Sequence, residues 1–335
     1  MHMADALITP LVGGVMYIAA AKVGNDSINR IKSDMDDTKI PMMGVMGAFI
    51  FATQMINFTI PGTGSSGHLG GGMLLAAILG PYAGFLAMAA VLTIQALFFA
   101  DGGLLALGCN IFNMGFYTCF IAYPFIYKRI LTKGYSTIRI TWASMLASIV
   151  GLQLGAFSVV VQTMLSGKLE LPFTTFLLLM QSIHLAIGVV EGLITAAVIN
   201  FIWKARPELI EGSGGSKTTG GNVPFKRILL SLIIAALVIG GILSWYASGN
   251  PDGLEWSLQN SAGQGELKQG SELSQMLSAI QNKLAILPHY SFKSGAEAPK
   301  QAGTSISGVV GSAITLFLAA CVGIIIKVLT KKKNR

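Results

Sequence analysis

Stretches of about 18 to 25 apolar residues alternate with short polar connections along most of the chain, and a helix needs about 20 such residues to cross the hydrocarbon core of a bilayer. The pattern predicts spans over 6–23, 41–58, 82–99, 104–127, 141–165 and 172–203, and two more, beyond a polar stretch, over 228–246 and 306–328. A further apolar run, 71–79, is too short to cross alone and ends at Gly80-Pro81. It reads either as a half-helix or as an extension of the glycine-rich loop before it. The expected fold class is all-α: a polytopic membrane protein, with a bundle of about seven transmembrane helices, then a two-helix hairpin, and with its N-terminus outside.

Composition agrees with the pattern. Of 335 residues, 53% are hydrophobic and 11% charged, and mean hydropathy is +0.65, far from an average soluble domain. The net charge of +8 invites a nucleic-acid reading, but the basic residues sit in short clusters between apolar stretches. The expected environment is therefore the lipid bilayer, and no nucleic-acid partner is expected. Cys109, Cys119 and Cys321 lie within apolar runs without a C-x-x-C and read as small core residues. The 15 methionines are scattered and read as adaptable packing.

The basic clusters also orient the chain. No Lys or Arg precedes the first span, whereas Lys22, Arg30, Lys32 and Lys39 follow it, the reverse of a secretory signal. With the N-terminus outside, 18 of the 23 Lys and Arg fall on the cytoplasmic side, as the positive-inside rule requires. The second span then delivers the loop 59–70, with His68, to the same outer side as Met1. The expected location is multi-pass, in a cell membrane, which the family resemblance given below makes a prokaryotic one.

Three parts are expected: a transmembrane component over 1–203, to which the candidate metal-binding residues below belong, a cytoplasmic linker over 204–227, and a small fused component over 228–335 with two transmembrane helices and an outer loop over 247–305. The linker contains EGSGGSKTTGGN, a flexible Gly/Ser/Thr spacer. Its GSGGSKT lacks the Gly-Lys pair and the preceding strand of a phosphate loop, so no ATP site is expected. The outer loop is rich in Gly, Ser, Gln and Asn and poor in aromatics, and mobility is expected there.

The candidate chemistry begins at Met1-His2. A free terminal amine, the backbone nitrogen of His2 and its imidazole can close two chelate rings around one cation, leaving a fourth in-plane position open. An all-nitrogen plane suits Ni(II) or Cu(II). A histidine after the start is also a common cloning remnant. His68, in GTGSSGHLGGGML, stands where flanking glycines let backbone pass close to a small ligand, although a lone loop histidine is more often structural. His184 and Glu191 are seven apart on one helix face; they read as a polar clamp between helices or as groups lining a cavity. Asp101, Asn110 and Asn113 read as a helix cap and loop ties, or as groups orienting the histidines. Ala20 and Gly24 form a small-xxx-small step on which a partner helix could pack.

MHMADAL, GTGSSGHLGGGMLLAAILGPYAG, FFADGGLLALGCNIFNMG and HLAIGVVEGLIT together resemble the nickel/cobalt substrate-binding components of energy-coupling-factor transporters, the CbiM/NikM family. The similarity covers about 1–203, and Pro251-Asp252-Gly253-Leu254-Glu255 resembles the PDGLE signature of the small N component, fused here as in NikMN-type chains. The resemblance implies high-affinity capture and uptake of a divalent ion, with metal ligands at Met1, His2 and His68. It further implies a transmembrane coupling subunit and two cytosolic ABC-type ATPase subunits as partners. Met3-Ala4-Asp5-Ala6 departs from the family's more usual start and weakens the identity of the metal. Ni(II) is the expected substrate, Co(II) the alternative within the family, and a stand-alone secondary carrier the alternative outside it. No catalytic residue or resident cofactor is expected, since H-E-x-x-H and G-x-S-x-G are absent. A retinal-type receptor would need a lysine within 172–203, which has none.

Overall fold

The computed structural model describes residues 2–31, 38–167, 172–213, 223–262, 271–293 and 300–333. A tight turn at Asp5–Leu7 leads into α1 (Pro10–Ile31) and α2 (Lys39–Gln54). A small antiparallel hairpin follows, β1 (Phe58–Ile60) with β2 (Ser65–Gly67), pairing Phe58 with Gly67. After α3 (Gly72–Leu79) and α4 (Pro81–Phe99), α5 starts as Leu107–Ile111, widens into π-type turns over Phe112–Tyr127 around Pro124, and closes as Lys128–Leu131. α6 (Thr137–Ser166) and α7 (Phe173–Ala205) complete the first part. The second consists of α8 (Phe225–Gly241), α9 (Gly253–Ala262), α10 (Glu272–Leu284) and α11 (Lys300–Lys333). The all-helical expectation thus needs one correction, the β1–β2 hairpin just before His68.

Among the described residues, five helices are long and apolar enough to cross a membrane: Pro81–Phe99, Thr137–Ser166, Phe173–Ala205, Phe225–Tyr246 and Ala302–Leu329. The chain is a multi-pass membrane protein. Helices α2, α3 and α4 are apolar on every face and buried on nearly every face, as the centre of a bundle requires. The outer helices expose Leu178, Leu185 and Leu193 on α7 and Phe317 and Ile325 on α11. Ala20, a candidate for packing against a partner, is instead 7% exposed, covered by its own bundle.

Backbone geometry sets the depth of the His68 loop. At 1.5 Å per residue, α3 rises about 12 Å from Gly80 and α4 about 28 Å. The loop's inner end, Gly70-Gly71, therefore lies on the order of 16 Å below the end of α4. It descends into the bundle as a re-entrant segment, tolerated because protein, not lipid, surrounds it.

The outer segment, expected to be mobile, carries two helices and a turn (Pro288–Tyr290) among its described residues. It docks on the end of α4. The last carbonyls of a helix lack partners within it, and here Gln281 Nε2 donates to Ala96 O at 2.9 Å, while Ile286 N donates to Phe98 O at 2.9 Å. Polar composition misleads at this point because the polar side chains bind backbone instead of water. Within the linker, Glu211 N donates to Ala77 O at 3.1 Å and Lys39 Nζ lies 3.5 Å from Glu211 Oε2, so its first residues pack beneath α3. The rest of the glycine-rich spacer, 214–222, falls outside the described residues.

The two parts meet along a seam of small residues. A Cβ at Gly44 of α2 would stand 2.8 Å from Leu316 O of α11, and Gly308 of α11 lies against the backbone of Gly240 of α8. Such close approach gives van der Waals packing where lipid offers no hydrophobic drive. Gly308→Leu is expected to pry α11 from α8 and lower the thermal midpoint in detergent, while Leu at exposed Val309 leaves it unchanged.

Candidate metal centre

The start of the chain is held by its peptide groups. Met3 N donates to Asn110 Oδ1 at 2.8 Å, Asn110 Nδ2 donates to Met3 O at 3.2 Å, and Gly103 N donates to Met3 O at 2.9 Å. The Met3 side chain is fully buried. Asn113 lies 3.7 Å from its sulfur and exchanges two hydrogen bonds with Gln162, at 2.8 and 2.9 Å. Asn110 and Asn113 therefore fix Met3 and, through it, the placement of His2. Met1 lies outside the described residues.

The His2 and His68 rings stack with centroids 5.0 Å apart. Hydrogen bonds set the proton on each. Gln54 Nε2 donates to Gly70 O at 2.8 Å, so Gln54 Oε1 is left to accept from Gln95 Nε2 at 2.7 Å. Gln95 Oε1 must then accept from His2 Nε2 at 3.1 Å. This relay puts the His2 proton on Nε2 and makes Nδ1 the lone-pair nitrogen, 3.5 Å from Asp101 Oδ1. At His68, Nδ1 donates to Leu69 O at 2.9 Å, which makes Nε2 its lone-pair nitrogen. A carbonyl or amide partner on the far ring nitrogen is how proteins orient a metal-binding imidazole.

Asp101 faces His2 instead of capping the next helix, which starts six residues later at Leu107. Its other oxygen accepts from Tyr290 Oη, supplied by the fused segment. Glu191 accepts from Gly70 N at 2.6 Å and Gly71 N at 3.1 Å, with Gly71 at φ +81°. It clamps the end of the re-entrant loop, not a neighbouring helix. His184, on the same face of α7, donates from Nδ1 to Met180 O at 2.7 Å and is not bonded to Glu191. The fused segment reaches the same loop: Ser66 N donates to Pro251 O, and Ser66 Oγ donates to Asn250 O, both at 2.8 Å. Among the described residues, no three His, Cys, Asp or Glu side chains are grouped as a metal shell.

Gln54, Gln95 and Tyr290 escaped the sequence reading, and Asp252 entered it only as part of the PDGLE signature, without a role at this site. A glutamine inside an otherwise apolar helix is the signal for the first two; nothing local marks Tyr290.

Burial above all, with the neighbouring His2 among the smaller causes, holds the His68 imidazole down at about 3. Burial also lowers His2, against the pull of Asp101. Burial alone would raise Asp252, but the Glu255 N–H and the two imidazoles help hold it below the usual carboxylate range. His68 thus stays neutral in the folded chain down to about pH 3 and takes a proton below about 6.5 once unfolded. Between those limits the unfolded state binds more protons, so stability is full above 6.5 and is lost as pH falls through the window. The thermal midpoint of the metal-free protein is expected to drop from pH 6.5 toward 4, with a flatter dependence in His68→Gln.

Comparison with known proteins agrees with this architecture. Residues 2–209 match the family model described as the cobalt uptake substrate-specific transmembrane region, CbiM, and residues 226–328 match the PDGLE domain. The fused nickel transport protein NikMN of Archaeoglobus fulgidus is 34% identical, over 95% of this chain and 96% of its own. The fused nickel transport protein NikMN of Rhodobacter capsulatus is 28% identical, over 78% and 76%. The crystal structure of a truncated transition metal transporter superposes with a TM-score of 0.54 at 30% identity, covering 61% of this chain and 99% of that one. The chain belongs to the CbiM/NikM family of nickel/cobalt transport components, with a PDGLE domain carried in the same polypeptide.

Proposed function

We propose that this chain captures Ni(II) as the substrate-specific component of an energy-coupling-factor importer, holding the ion in a square plane of four nitrogens. These are the Met1 amine, the backbone nitrogen and Nδ1 of His2, and Nε2 of His68. The observation that carries the reading is the stacked His2–His68 pair, in which the Gln54–Gln95 relay and the Leu69 carbonyl protonate the outer ring nitrogens and turn the lone pairs of the others to use. Two main-chain nitrogens complete the set, which is why no cluster of acidic or sulfur side chains is needed. Planar nitrogen ligation favours Ni(II) and, more tightly still, Cu(II), so affinity alone does not choose between them. The matching family model is described by cobalt uptake, which keeps Co(II) as the second substrate to test.

Capture releases the protons of the amine and the His2 amide, so affinity falls as pH is lowered. With the N-terminus outside, the site faces the outer side, and release inward is driven by a transmembrane coupling subunit and two cytosolic ATPases. The test measures Ni(II), Co(II) and Cu(II) binding by the purified chain beside a form with one residue added before Met1. Adding the residue moves the amine and leaves both histidines in place. Loss of Ni(II) binding together with the planar absorption band supports the reading; undiminished binding removes Met1 from the ligands. In cells, uptake that ceases without the ATPases supports the importer, and uptake that persists favours a stand-alone carrier.

A further inference from the structure

We propose that α10 of the fused segment is an interfacial helix, whose exposed apolar stripe lies in the lipid of the bilayer leaflet on the His68 side. The placement holds whichever ion the chain carries. Leu273, Met276, Ile280 and Leu284 are between 39% and 55% exposed. With 3.6 residues per turn, they fall within about 80° of arc around the helix axis. Apolar residues scattered singly over a surface need no explanation, but a stripe running the length of a helix marks something that covers it.

The rest of the helix divides in two. Ser274 and Gln281 are buried, with Leu277 half-buried at their edge, and Gln281 Nε2 donates to Ala96 O at 2.9 Å and to Gly102 O at 2.7 Å. Glu272, Gln275, Asn282 and Lys283 are exposed and share a third side, within about 100° of arc. A helix docked on a protein in water has two sides, an apolar one turned inward and a polar one turned outward. In α10 the side against the bundle is largely polar, and most of the apolar residues point elsewhere. Three sides fit a three-way boundary, where protein, water and lipid each meet the surface that suits them.

Depth selects lipid as the occupant. The rise of α4, about 28 Å, nearly equals the roughly 30 Å hydrocarbon core, so its last carbonyls stand at the hydrocarbon boundary. Ala96 O and Phe98 O there hold Gln281 Nε2 and Ile286 N, which sets the end of α10 at that level. At the same end of the bundle, Trp245 and Tyr246 are 57% and 83% exposed where the span Phe225–Tyr246 closes. Aromatic residues in that position mark a membrane interface. Lipid-facing surface reaches this end too, since Leu11, near the start of α1, is exposed. An amphipathic helix sinks its apolar side on the order of 5–10 Å into the boundary of headgroups and acyl chains, the level at which α10 lies. It leads into the turn that carries Tyr290 to Asp101, so lipid steadies the part of the fused segment that reaches the metal centre.

The test attaches a nitroxide to Met276→Cys and, separately, to Asn282→Cys in the full chain, reconstituted in vesicles of phosphatidylcholine and phosphatidylglycerol. Cys321→Ala removes the half-buried native cysteine, while Cys109 and Cys119 are buried from the label. Power-saturation spectroscopy compares collisions with oxygen, which concentrates in lipid, and with chromium oxalate, which stays in water. The ratio of oxygen to oxalate accessibility is expected to be severalfold higher at 276 than at 282, with Ile280→Cys and Leu284→Cys matching 276. A parent-like thermal midpoint shows that each labelled chain is folded, and the remaining stripe positions decide the matter if one variant is not. Ratios that do not differ between 276 and 282 overturn the proposal, because the stripe then meets the same medium as the polar side. So does a stripe label that neither reagent reaches, because protein, of this chain or of a second copy, then covers it.

Discussion

Replacing His2 by alanine is expected to lower Ni(II) affinity about a hundredfold or more, since a four-ligand site worth roughly 10–16 kcal/mol carries about 3 kcal/mol per ligand. The substitution removes Nδ1 and, with it, the proton relay. Gln95 loses its partner at 3.1 Å, and the chain of amides that ends on Gly70 O loses its first link. The fold should survive, because Met3, not His2, anchors the start through Asn110 and its buried side chain. The expected result is an unchanged thermal midpoint without metal, loss of the planar band, and disappearance of the midpoint rise that Ni(II) gives the parent. A variant that keeps the band would remove His2 from the ligand set.

Glu191→Ala should have the next largest effect, by a different route. Its carboxyl group is the acceptor for Gly70 N and Gly71 N at 2.6 and 3.1 Å. Taking it away leaves two buried donors without acceptors, at about 1–3 kcal/mol each, and opens space beneath the re-entrant loop. Gly71, at φ +81°, cannot readily turn to find another partner, because α3 begins at the next residue. The thermal midpoint should fall by several degrees even without metal, and Ni(II) affinity should fall with it. Glu191→Gln, which keeps one acceptor oxygen, should recover part of both. Both readouts are available from one calorimetric titration series, and an affinity loss with no change in the metal-free midpoint would place Glu191 in a role other than the clamp.

The stacking of His2 on His68 was legible in part, because an imidazole beside a terminal amine and a histidine among glycines stand out locally, and because alternation of spans brings 59–70 to the end of the bundle where the chain begins. The depth of His68 was less legible. It follows from unequal helix lengths on either side of Gly80, and 71–79 admitted two readings until those lengths were known. Gln54 and Gln95 lie within apolar runs whose periodicity marks them only as interior, and their pairing depends on two helices crossing. Asp101 and Tyr290 are 189 residues apart, and no spacing rule joins such a pair. In the outer segment the described residues form helices and satisfy the last carbonyls of α4, contacts that low hydrophobicity does not announce. His184 and Glu191 share a face, as their spacing predicts, yet Glu191 holds the re-entrant loop while His184 is bonded within its own helix.

The glycine seam between α2, α8 and α11 has a consequence for how such a chain is inherited. Because the seam and the docked outer segment bring the two parts together, joining them in one polypeptide adds chiefly local concentration, an effect worth millimolar equivalents for a short tether. Gene fusion and gene separation between the two parts are therefore nearly neutral events for the assembled protein. A cell that makes the halves as two polypeptides must match their expression, whereas one that joins them receives equal copies by construction.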